Sequence, residues 1–116
     1  MLKNTEKSKR LALFIEAVKD AQEAAKHLKE WAHLQANQIK REINKHKTST
    51  KTERLKQATD AQHFAAYVLE ALPICLKTAL TDYKTKGMTG ELIALHALKV
   101  RHLLDAMAEH FTTLNI

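Results

Sequence analysis

Residues 11–32 read LALFIEAVKDAQEAAKHLKEWA, and this stretch decides the fold. Leu11, Phe14, Val18, Ala21, Ala25, Leu28 and Ala32 recur at alternating intervals of three and four. That period places them on one stripe of an α-helix and on both faces of a strand, so only the helix buries them together. Gln35 interrupts the series, and Ile39 and Ile43 resume it. No glycine or proline occurs between Thr5 and His46. The pattern predicts one amphipathic helix over about 5–46, ~60 Å long at 1.5 Å per residue.

Composition extends that reading to the whole chain. In 116 residues there are two glycines and one proline, where an average chain would carry roughly fourteen of the two types together. Hairpins and tight turns recruit glycine for positive φ, so sandwiches, barrels and glycine-rich phosphate loops are excluded. Seventeen alanines and sixteen leucines against nine valines and isoleucines favour helix over strand.

Lys47-Thr48-Ser49 ends the first periodic segment, and Thr50-Lys51-Thr52-Glu53 has the form of a capping box. A second helix is predicted over about 51–86, with Leu55, Ala58, Gln62, Ala65, Leu69, Leu72, Leu76, Ala79 and Tyr83 on its seam. Pro73 removes a donor for the carbonyl of Leu69 and crowds it, which predicts a kink, or else a break into two segments. Lys84, Lys86 and Gly87 suit the helix end. Thr89 is placed as the cap of a third helix over about 89–114, with Met88 and Ile93 as a hydrophobic staple. Its stripe is Ile93, Ala97, Val100, Leu104, Met107, Phe111 and Leu114. A second row, Leu92, Leu95, Leu103 and Ala106, widens the apolar face, as in a helix lying between two partners.

Short connections make successive helices antiparallel. The fold expected is therefore all-α: one domain, 1–116, an elongated antiparallel three-helix bundle, or a kinked four-segment one, built on a long helical hairpin. The third helix is too short to cover the hairpin, which leaves a bare tip at roughly residues 36–60.

Charge is uneven along this frame. Residues 1–56 hold fourteen Lys and Arg against seven Asp and Glu, or +7, whereas residues 57–116 hold five against six, or −1. The excess is densest at the expected tip, where Lys40, Arg41, Lys45, Lys47, Lys51, Arg54 and Lys56 face only Glu42 and Glu53. Such a cluster suits contact with nucleic-acid phosphates, and an ordinary solvated connection between helices has the same composition. Fifteen lysines to four arginines speak against bidentate reading of guanine edges. None of the six aromatic residues interleaves with the basic tip, so a stacking platform for single strands is not expected. A second basic cluster, Lys3, Lys7, Lys9 and Arg10, lies at the opposite end.

Enzymatic chemistry finds little support. The seven histidines include no pair at i+3 or i+4, the spacing that places two metal ligands on one helical face. His102, Asp105 and Glu109 share a face, and His27 lies between Glu23 and Glu30; both sets suit surface ion pairing. Cys75, the single cysteine, excludes an internal disulfide and falls near the second helix's seam, where a buried, unreactive thiol is expected. No nucleophile elbow, zinc-binding helix motif, P-loop or dinucleotide fingerprint occurs. The reading is a non-enzymatic chain with no catalytic residue, metal or cofactor.

No apolar h-region opens the chain, and no uninterrupted apolar run approaches the ~18 residues of a membrane span, so a cytoplasmic protein without membrane contact is expected. Its leading function is backbone contact with double-stranded or structured nucleic acid through Lys40 to Lys56. It would act as a dimer or as a small subunit of a ribonucleoprotein complex. The alternative is a protein-interaction bundle, an inhibitor, adaptor or chaperone, using Trp31, Leu92, Leu95 and Leu103.

Overall fold

A computed structural model of the chain describes residues 2–85 and 90–114. It comprises three helices, α1 (Leu2–Lys45), α2 (Ser49–Thr85) and α3 (Gly90–Thr113), and among the described residues no strand. The chain is an all-α bundle whose first two helices pack closely as a hairpin. Forty-four residues at 1.5 Å per residue make α1 about 66 Å long, and the molecule measures 66 × 20 × 16 Å. One helix thus spans the entire rod. The radius of gyration, 18.4 Å, stands against about 13 Å for a compact chain of this length.

The expected stripe of α1 is the observed core face. Phe14, Val18, Ala21, Ala25, Leu28 and Ala32 are all buried, with Leu11 packed partly against them. Beyond Ala32 the buried series continues through Ala36 to Ile39, with Ile43 partly buried. Steps of three, four, four and three therefore replace strict alternation there. A four-residue insertion of this kind locally unwinds a supercoil and carries the stripe past Gln35.

On α2 the fully buried residues are Ala58, Ala61, Ala65, Val68, Leu72 and Ala79. Gln62, Leu69, Leu76 and Tyr83, expected on the seam, are only half-buried. The difference has a packing cause: α2 faces α1 and α3 at once, so its buried line falls between the two contacts. Alanines from α1 and α2 dominate the hairpin seam, and small side chains let two helix axes approach closely. From α3 come the larger plugs Ile93, Val100 and Met107, each on its expected stripe. α2 and α3 form the least extensively packed pair of the three.

The hairpin turns within residues 46–48. Thr48, two residues before the expected cap Thr50, is the N-cap of α2: its Oγ1 accepts from the Lys51 N–H at 3.2 Å. The Thr48 carbonyl accepts the first helical bond from the Thr52 N–H at 3.1 Å. Starting at Thr48 shortens the connection, which holds Ile43 and Leu55 against the same small cluster. Lys51 completes the turn by donating from Nζ to the last-turn carbonyl of His46, at 3.0 Å. Pro73 lies within α2, which runs through it as one helix, and its ring is exposed. The features expected at Lys86, Gly87, Met88 and Thr89 lie outside the described residues.

The bare tip is shorter than expected. Leu114 packs against the cluster of Ala36, Ile39 and Ala58, so α3 covers the hairpin to that level and residues 40–54 project beyond it.

Candidate nucleic-acid interface

Six of the seven expected basic residues are exposed, Lys40, Arg41, Lys45 and Lys47 on this projecting end and Arg54 and Lys56 at its base. None of these six forms an ion pair with another described residue. Lys51 differs, being half-buried with its ammonium committed to the His46 carbonyl. Its charge serves the turn.

The cations surround the tip and do not share one face. Arg41 and Lys45, four residues apart, lie on one side of α1, and Lys40 is rotated about 100° from Arg41. Lys47 and Lys56 converge on an open recess with Thr48, Ser49, Thr52 and Glu53. That recess lies at the first turn of α2, where the helix presents N–H groups without helical acceptors and the positive end of its dipole. Two ammonium groups, helix-terminal N–H groups and neighbouring hydroxyls are the donor set that holds a phosphate, with Glu53 as the opposing charge. Arg54 lies apart, in a narrow recess of about 100 Å³ shared with Gln35, Ile39, Gln57, Thr113 and Leu114. Of the second basic cluster, Lys9 and Arg10 are exposed; the side chains of Lys3 and Lys7 lie outside the described residues.

The expected protein-contact residues separate. Trp31 is 41% exposed and Leu34, one turn on, is exposed beside it. Leu92 and Leu95 are exposed on α3, whereas Leu103 packs partly against the core and is not available as they are. Sequence reasoning missed Tyr67 and Ile74, 59% and 67% exposed on α2. Tyr67, Glu70, Ile74 and Lys77 follow three-four-three spacing, but that spacing alone does not mark them as an outward stripe. By length and composition α2 is apolar enough to cross a membrane, yet only 22% of its most apolar 18-residue window is buried in the bundle. Much of its apolar surface therefore faces outward.

The remaining chemistry is quiet. Among the described residues no group of three or more His, Cys, Asp or Glu side chains is placed to hold a metal ion. His33 is held between Asn37 Nδ2 at 3.2 Å and Gln62 Nε2 at 3.3 Å, the latter bridging α1 and α2. Glu23 lies 3.8 Å from Lys26, and His27 is exposed. His96 Nδ1 is buried without a hydrogen-bond partner, its ring 5.9 Å from that of Phe14. Burial raises the pKa of the half-buried Cys75 thiol, and the Lys99 ammonium partly opposes the shift. A thiol held in its neutral form is a poor nucleophile. Compared with known proteins, the chain matches no family model, no curated protein and no solved structure.

Proposed function

We propose that this chain is a non-enzymatic helical protein that binds the sugar-phosphate backbone of duplex or structured nucleic acid through the projecting end of its α1–α2 hairpin. The observation that carries this reading is the recess at the start of α2, where Lys47 and Lys56 meet the helix N-terminus. Lys40, Arg41 and Lys45 extend the positive surface along α1, and Arg54 extends it toward α3. Exposed lysines around a tip contact phosphates as point charges, without base reading.

Salt dependence tests it. Neutralising four phosphates predicts a loss of roughly 100-fold in affinity for a short duplex between 50 and 200 mM salt. Replacing Lys47 and Lys56 by glutamine should lower the slope of log K against log salt by about 2. An affinity that does not change with salt, or a slope that the double replacement leaves alone, overturns the assignment.

A second reading, a protein-interaction bundle, draws support from the exposure of Leu92 and Leu95. It uses a different part of the rod, so the two readings are separable by mutation.

A further inference from the structure

The projecting end of the hairpin has dimensions that match one groove of one kind of duplex. Beyond the level of Leu114 only residues 40–45 of α1, the turn and residues 49–54 of α2 remain. At 1.5 Å per residue they project by about 9 Å, in a layer one helix thick, about 10–12 Å with side chains. At Leu114 α3 adds a second layer, which stops deeper entry into an opening of that width. The major groove of B-form DNA is about 12 Å wide and about 8.5 Å deep. It is open along its length, so two helices side by side can lie along it with one broad face toward each strand. The minor groove, about 6 Å wide, admits no helix, and the major groove of A-form RNA is too narrow for side chains to read.

The cations are distributed for that entry. Arg54 shares its recess with Thr113 and Leu114, so it lies on the broad face that α3 covers lower down. Gln35 lines the same recess, and His33, two residues earlier on α1, points about 160° away from it. His33 meets Gln62 across the opposite broad face. Lys40, one heptad beyond His33, continues that opposite face. In the antiparallel register set by the His33–Gln62 bond, Lys40 and Arg54 are level to within one residue. One cation on each broad face, at the base of the projection, suits the two phosphate strands at a groove's rim. A rod lying flat on a duplex would instead gather its cations on one face. We infer that the nucleic acid taken by this chain is B-form duplex DNA, whose major groove the hairpin tip enters end-on. The inference rests on the backbone-binding reading above and names its substrate. Lys40 and Arg54 contact the two facing strands, while Lys47 and Lys56 reach phosphates farther along the groove.

The test is fluorescence anisotropy of the full chain at about 100 mM salt, with DNA and RNA duplexes of one sequence, about 20 base pairs long. The DNA duplex should bind at least about tenfold more tightly. Glucosylated 5-hydroxymethylcytosines, which fill the major groove, should weaken binding by about tenfold or more. Netropsin, which fills the minor groove, should change it by less than about twofold. Lys40→Gln and Arg54→Gln, with helicity recorded for each, should each lower the slope of log K against log salt by about 1 on DNA. Equal affinity for the two duplexes, or a preference for RNA, overturns the assignment, as does indifference to the glucosyl groups. In those cases salt-dependent backbone binding still stands. A chain that binds neither duplex loses the backbone-binding reading and this inference together.

Discussion

Thr48 and Thr50 illustrate how one side chain sets an element's start. Both are hydroxyl residues two positions apart, and each has an acceptor three residues before a backbone N–H. Only Thr48 fulfils the role, through its bond to the Lys51 N–H. Thr48→Ala should therefore cost about 1 kcal/mol in urea unfolding, whereas Thr50→Ala, within the first turn and exposed, should stay within about 0.5 kcal/mol. Cys75 makes the second residue-scale prediction. Its thiol pKa is raised by burial and lowered in part by Lys99, so removing that ammonium raises it further. Lys99→Gln should then hold less thiolate at pH 8 and slow maleimide labelling about twofold. An unchanged or faster rate would contradict the placement of Lys99 over Cys75. The place of Cys75 near the seam was legible from its neighbours Leu72 and Leu76, although it is half-buried where full burial was expected; the modulation by Lys99 was not, because it joins residues on different helices.

At the scale of the element, α2 combines conflicting preferences. Its alanines favour helix and allow close packing against α1, while Pro73 deletes the hydrogen bond to the Leu69 carbonyl and crowds that turn. The helix nonetheless continues through residue 73 because the buried residues on both sides, Leu72 and Ala79, anchor it to the core. Pro73 itself is exposed, so Pro73→Ala removes the backbone cost without disturbing packing. It should stabilise the fold by about 1–3 kcal/mol, read as a higher Tm and an unchanged m-value. Helix extents and the α1 and α3 stripes were readable from period, since α3 and α1 as far as Ala32 each follow a single three-four alternation; Ala36 was missed where the α1 series shifts. α2 was readable to within one residue of its buried line. Tyr67 and Ile74 escaped because an outward apolar stripe has the same period as an inward one, and period does not say which side the neighbours occupy.

For the whole molecule, length is the governing quantity. A 66 Å rod only 16 to 20 Å across exposes 8098 Å², about a quarter more than the roughly 6,400 Å² of a compact monomer of this mass. An elongated bundle therefore offers separate surfaces for separate partners. The sequence by itself determined the helical class, the hairpin and the concentration of positive charge near its turn. Those properties follow from glycine scarcity, from local period and from charge order along one chain. Only the tertiary structure decided that Lys51 serves the turn, that Leu114 shortens the bare tip and that Leu103 faces the core. The Lys51 contact is local, but it depends on the shape of a turn that has no period; the other two depend on the lateral register of helices far apart in sequence, which is set by side-chain packing between them and leaves no periodic trace in either helix alone.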